Sequence, residues 1–338
     1  MKITSLVTFA FLSALWCSTS SADAVNVYSA RSEQLIKPLL DRFTEETGIE
    51  IKLLSGKADA LLRRLEIEGE VSPADVLITV DAGRLHRAKM MGLLQPVESE
   101  NLSALVPATL RDKDSYWFGL STRARVVMYA RGRVRESDLS SYEDLANERW
   151  DGRICVQSSS SIYNQSLVAS MIAEHGQDET LAWAKRLVKN FARTPRGGDR
   201  DQIASLASGE CDIAIANTYY LAAMLRGKQK SQRKAAKRVG VFWPNQDDRG
   251  VHINVSGIGI TKSAQNKENA IRLVEFLLQE DSQEWYTSTN FEYPVRVDVP
   301  TGKVLRKWGD FKADPINLTE LGENNPVAVR LMDEAGWR

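Results

Sequence analysis

Cys211-Asp212-Ile213-Ala214-Ile215-Ala216-Asn217-Thr218-Tyr219-Tyr220 decides the architecture. Cys211 to Ala216 reads as a buried strand, and Tyr219 to Leu225 as the helix it feeds. The same junction recurs along the chain. Val25 to Tyr28 is a short strand, and Leu35, Ile36, Leu39, Leu40 and Phe43 then repeat at helical spacing up to Gly48. Ile49 to Leu54 is the next strand. Leu61, Leu62, Leu65 and Ile67 mark a helix, and Asp75 to Val80 is a strand ahead of a helix that stops near Gly92. Further strands are expected at Arg125 to Ala130, Arg153 to Val156, Val239 to Phe242 and Val251 to Thr261. Helices are expected at Tyr142 to Asn147, Tyr163 to His175, Glu179 to Asn190 and Ala204 to Ser208. A longer amphipathic helix, Asn266 to Gln279, carries Ala270, Leu273, Val274, Leu277 and Leu278 on one face. This alternation predicts an α/β fold, with a mostly parallel sheet and helices on both faces.

The 338 residues suit two domains with proper cores. A hydrophobic fraction of 43% and a charged fraction of 26% exclude a mainly disordered chain and a polytopic membrane protein. Lys plus Arg and Asp plus Glu both number 44, so no basic excess points to nucleic acid. Residues 1–24 read as a secretory signal peptide: Met1-Lys2, an apolar run from Ile3 to Trp16, then small residues with A-x-A-like cleavage after Ala22 or Ala24. The apolar run is short for a membrane anchor, and bulky Trp16 beside Cys17 argues against a lipoprotein. Export leaves Cys155 and Cys211, either a disulfide or two buried thiols.

Much familiar chemistry is missing. There is no G-x-S-x-G, H-E-x-x-H or P-loop pattern, and no CxxC. The three histidines, His86, His175 and His252, form no ligand pair. The stretch Arg226 to Arg238 holds seven Lys/Arg and no acid. It reads as a solvated surface, with docking to an acidic partner as the alternative.

Two groups of tyrosines stand out. Tyr219 and Tyr220 follow one strand and open a helix. Tyr163, after Ser158-Ser159-Ser160-Ser161, follows another and does the same. Both junctions lie where open α/β sheets bind ligands. Neighbours in a regular helix do not share a face, so the pair converges only at an irregular junction; otherwise both are packing residues. Phenolate is a hard anionic oxygen donor suited to ferric iron, and a nearby cation promotes its deprotonation. Tyr28-Ser29-Ala30-Arg31-Ser32-Glu33 forms a third strand-to-helix turn. Its N–H groups and Arg31 would favour a small oxyanion.

The mature chain resembles the bacterial ferric-ion-binding proteins, the periplasmic binding components of iron ABC importers. The resemblance rests on Val27-Tyr28-Ser29-Ala30-Arg31, Ser72 to Asp81, Trp117 to Val126, Tyr163-Asn164-Gln165-Ser166-Leu167, Asn217-Thr218-Tyr219-Tyr220 and Asn254-Val255-Ser256-Gly257, in the family's order. It implies a two-lobed periplasmic binding protein fold closing about a two-strand hinge near Arg123 and His252. The lobes would be residues 25–123 plus 251–300 and 124–250 plus 301–338. It further implies Fe(III) held by Tyr163, Tyr219 and Tyr220, with Arg31 and Arg123 beside an anion such as carbonate, and Arg125 as the substitute for Arg123. The implied protein is a periplasmic monomer that is not an enzyme, binds no nucleic acid and delivers iron to an ABC permease.

One departure bears on the site. Many relatives carry His-Tyr after the arginine of the first turn, where this chain has Ser32 and Glu33. A synergistic anion would complete the site, with Glu33 as an alternative direct ligand. Competing readings are a binder of the same fold for an oxyanion or a polyamine, and a secreted metallohydrolase, for which no open-metal or general-base motif is present.

Overall fold

The computed structural model describes residues 24–338. The expected leader lies outside them except for Ala24, which opens the first strand.

The strands are β1 (Ala24–Ser29), β2 (Glu50–Ser55), β3 (Val76–Val80), β4 (Phe118–Ala130), β5 (Ile154–Cys155), β6 (Ile213–Asn217), β7 (Val239–Phe242), β8 (Ile253–Ile260) and β9 (Tyr293–Pro294). The helices are α1 (Lys37–Thr47), α2 (Ala58–Glu68), α3 (Ala82–Met90), α4 (Glu100–Leu105), α5 (Ile162–Lys189), α6 (Asp199–Ser208), α7 (Thr218–Arg226), α8 (Lys230–Ala236), α9 (Lys267–Leu277), α10 (Glu280–Ser288), α11 (Thr319–Glu323) and α12 (Asn325–Glu334).

The strands run in the order β2-β1-β3-β8-β4-β6-β5, with β7 and β9 also on β4. Pairing is parallel at β1/β2, β1/β3 and β5/β6, and antiparallel around β8 and β4. The sheet is therefore mixed, not mostly parallel. The expected strand at Arg125 to Ala130 is only the second half of β4.

That strand explains the two lobes. Its 13 residues are all buried. Phe118 to Ala124 pairs with β8, and Arg125 to Tyr129 pairs with β6. One continuous strand thus belongs to the first lobe's sheet at one end and the second lobe's at the other. Beside it, the Arg125 N–H donates to the His252 carbonyl at 3.0 Å, where β8 begins. Neutral His252 sits here with its pKa far below the usual imidazole range, because burial and then Arg249, Arg125 and Arg123 oppose its charge.

Other departures have local causes. The expected helices at Tyr163 to His175 and Glu179 to Asn190 meet end to end in α5 at Gly176, whose φ of 78° breaks the helical path. Few other residues tolerate that backbone conformation. Tyr142 to Asn147 forms only a 3-10 turn, Glu143–Ala146. The C-terminal α11 lies against both α3 and α5, and α12 lies along α5. The Trp337 indole N–H donates to the Gln157 carbonyl at 2.9 Å, fastening the end of the chain beneath the Tyr163 turn.

Cys155 and Cys211 form a disulfide, with Cα atoms 5.9 Å apart. The parallel register sets Cys155 opposite Ala214, so Cys211 enters just before its strand within reach.

Candidate metal centre

The second lobe supplies the tyrosines. Tyr163 is the second residue of α5, and Tyr219 and Tyr220 are the second and third of α7. The extended backbone of Asn217 (φ −78°, ψ 139°) ends β6 immediately before α7. The Tyr219 and Tyr220 rings lie 4.2 Å apart, tilted by 38°. The Tyr219 hydroxyl donates to the Tyr163 hydroxyl at 3.3 Å. The three phenols thus converge on one wall of a cavity of about 290 Å³. Burial raises Tyr219 far above the usual phenol range, and neighbouring Tyr163 and Tyr220 reinforce it. Burial and then Tyr163 raise Tyr220 as well.

Arg125 holds these turns together from behind. Its guanidinium donates to Asn164 at 2.5 Å, to Asp199 at 3.3 and 3.4 Å, and to Asn217 at 3.4 Å. Those residues stand at the starts of α5, α6 and α7. Asp199 also accepts the Asn217 N–H at 2.8 Å. Arg125 is therefore committed behind the tyrosines, whereas Arg123 lines the cavity.

The opposite wall comes from the first lobe and the hinge. Ala30, Arg31, Ser32 and Leu35 line it, with Val80, Arg123, Asn290, Phe291 and Glu292. Arg31 is only 4% exposed and grips Glu292 through three contacts of 3.1, 3.2 and 3.1 Å. The Ser121 hydroxyl also donates to Glu292. Arg123 Nη2 donates to Ser256 at 2.9 Å. Burial opposes the Arg123 charge, but Glu292, Tyr219, Tyr163 and Asp81 outweigh it and raise the pKa. Both Arg31 Nε and Arg123 Nε are buried without a partner.

Five of the six residues expected from the sequence meet in this cavity: Tyr163, Tyr219, Tyr220, Arg31 and Arg123. Glu33 does not; it is exposed in the 3-10 turn Glu33–Leu35, while Ser32 reaches the lining. Sequence reading missed Glu292 and Arg200. Glu292 lies 261 residues from Arg31 with no motif around it, and only the fold makes them neighbours. Arg200, whose guanidinium carbon sits 5.9 Å from the Tyr220 ring centroid, looks like any exposed helical arginine.

Residues 72–312 match the family described as bacterial extracellular solute-binding protein. The chain belongs to this family. Iron uptake protein A1 of Synechocystis sp. is 48% identical to this solute-binding protein over 314 residues, covering 93% of this chain and 87% of its own. The Trichodesmium protein IdiA (FutA), solved in complex with iron and citrate ligands, superposes with a TM-score of 0.91. It is 47% identical and covers 93% of this chain and 100% of its own. The ferric binding protein from Campylobacter jejuni superposes with a TM-score of 0.88 at 40% identity, covering 93% of this chain and 100% of its own.

Proposed function

We propose that this solute-binding protein captures ferric iron in the periplasm, in the cleft between its lobes, and delivers it to an ABC permease. Tyr163, Tyr219 and Tyr220 are the proposed ligands. The observation that carries this reading is the convergence of three phenols from two strand-to-helix junctions on one wall of a small cavity. Hard anionic oxygens suit a hard trivalent cation, and three phenolates would balance its charge. The relatives named above support the choice of metal.

Charge on the facing wall supports an accompanying anion. Arg31 and Glu292 cancel each other, leaving Arg123 and Arg200 as net cations around the cavity. With iron and tyrosinates already neutral together, that surplus favours a small anion, for which carbonate and citrate are the candidates. The arginines also disfavour a polyamine, which would meet like charge from Arg31, Arg123 and Arg200. The lobes we propose, residues 25–123 plus 251–300 and 124–250 plus 301–338, turn about β4 and the start of β8.

Ferric loading of purified, metal-free protein tests the reading. One equivalent of Fe(III) should produce a visible tyrosinate-to-iron absorption band that saturates at one ion per chain. Loading without such a band would refute tyrosinate ligation.

A further inference from the structure

Beyond the cleft, α7 connects two cavities. Its first turn carries Tyr219 and Tyr220, and its last turn carries Leu225 and Arg226. At that far end lies a concavity of about 670 Å³, walled by Leu225 and Arg226 from α7, Thr287, Ser288 and Phe291, and by Lys303, Val304, Lys307 and Trp308. Phe291 lines this cavity and the tyrosine cavity alike, so the two adjoin. The seven helical steps from Tyr219 to Arg226 span about 10 Å, one cavity's distance from the other.

The lining has a distinct chemistry. Arg226, Lys303 and Lys307 are cationic, and no carboxylate lines the cavity. All three are exposed, and none forms a salt bridge among the described residues. Beneath them lie Leu225, Phe291, Val304 and Trp308, with the Thr287 and Ser288 hydroxyl-bearing residues at the side. The basic stretch of the sequence continues from Arg226 into α8, which packs against α7 and adds to the local positive field. A volume in the usual small-ligand range, an apolar floor and three convergent cations describe a pocket for a compact polyanion.

We propose that this cavity is a second binding site, outside the iron cleft, for a di- or tricarboxylate of the hydroxy-acid class, free or as its anionic ferric chelate. Its position would concentrate such chelates beside the tyrosines. That role in delivery rests on the ferric reading above; the carboxylate site itself does not. An acidic segment of a membrane partner is the competing occupant. The concave shape and half-buried aromatic floor favour a small anion over a flat protein contact.

Calorimetric titration of citrate into iron-free protein tests the site with three chains: wild type, Arg226→Gln/Lys303→Gln/Lys307→Gln, and Tyr163→Phe/Tyr219→Phe/Tyr220→Phe. Wild type should bind citrate with a Kd of about 0.1–1 mM, weakening as salt is added. The glutamine variant, altered only at exposed positions and checked by its unfolding curve, should lose about tenfold or more of that affinity. The phenylalanine variant should keep it. Citrate binding that vanishes with the tyrosines would put the anion in the cleft and overturn the proposal. So would glutamine-variant binding equal to wild type, or no binding by wild type. A glutamine variant that binds citrate normally but supports less iron uptake in cells would assign the surface to the membrane partner instead. Absence of the ferric absorption band in wild type would refute the iron reading while leaving the citrate result standing.

Discussion

The two walls of the cleft are built on different principles. The second-lobe wall is assembled from local junctions. The tyrosines sit at the first turns of two helices that follow strands, and one buried arginine, Arg125, ties these helix starts and that of α6 into a unit. The first-lobe wall depends on a long-range ion pair, Arg31 with Glu292. The second-lobe wall offers phenols that would have to lose protons to bind a metal; the first-lobe wall offers fixed charge. A protein built this way can capture a metal on one side and adjust its charge balance on the other. Closure about β4 would bring the two together.

The largest expected effect breaks the tyrosine wall. Tyr219→Phe or Tyr220→Phe retains the ring and its stacking but removes the donor oxygen. Ferric affinity should fall by about 100-fold or more, roughly 3 kcal/mol, while the unfolding midpoint stays near wild type. Competition against a chelator of known strength measures the first quantity, and thermal melting the second. Both variants retaining full affinity and colour would remove these residues from the site.

Acidification should break the same wall without mutation. Burial keeps the Tyr219 and Tyr220 phenols protonated in the metal-free protein throughout the neutral range. As proposed ligands, each would lose a proton when iron binds, and binding should weaken as pH falls. For each proton released, a one-unit drop costs up to about tenfold in affinity. The visible band should fade progressively from neutral pH toward pH of about 4, near the unperturbed carboxylate range. A flat band across that interval would contradict tyrosinate ligation.

The contrast between the walls also explains what could be read in the sequence. Tyr163 and the Tyr219-Tyr220 pair were legible because apolar periodicity locates each strand end and helix start. The β1 turn bearing Arg31 was legible for the same reason. Glu292 was not, because its partner is remote in the chain and Phe291 beside it takes a left-handed φ of 58° that no turn motif announces. The first half of β4 was hidden too. Ser121, Thr122 and Arg123 break the apolar pattern ahead of the expected strand, yet they are buried in the crossing strand. There the Ser121 hydroxyl donates to Glu292 and Arg123 Nη2 to Ser256. The mixed direction of the sheet followed from that hidden half-strand and from β8, neither of which has a βαβ neighbour.

The facing wall should respond more moderately, and in opposite directions for its two members. Glu292→Gln removes one negative charge while retaining hydrogen-bonding atoms, freeing the Arg31 charge toward the cavity. Affinity for the accompanying anion should rise, so iron binding should reach saturation at lower bicarbonate or citrate. Arg31→Ala leaves Glu292 buried without its cation, and breaking such a pair costs about 3–5 kcal/mol of stability. It should also weaken the dependence of iron binding on the anion. Ferric affinity of both variants, with and without added anion, measures the difference. Identical anion dependence in wild type, Glu292→Gln and Arg31→Ala would show that this pair is structural only.

The smallest effect should come from Glu33, and it sharpens the comparison most. The family resemblance makes Glu33 an alternative candidate ligand, and a carboxylate is a suitable donor for ferric iron. In the fold, the 3-10 turn directs the lining through Ser32 and Leu35 and leaves Glu33 exposed outside the cavity. A solvated carboxylate there acts on the cleft only through water, screened over about 8–10 Å at moderate salt. Glu33→Gln should change ferric affinity by less than about twofold, within the range of a remote surface charge. Its remaining influence should disappear when salt is raised. A severe, salt-independent loss in Glu33→Gln would mean that the turn rearranges on closure to bring a carboxylate onto the metal. The first wall would then donate directly, as the second does, and the anion would be dispensable. Measuring Glu33→Gln beside Arg31→Ala, each with and without bicarbonate, separates the two designs: a first wall that supplies a ligand, or one that supplies only charge.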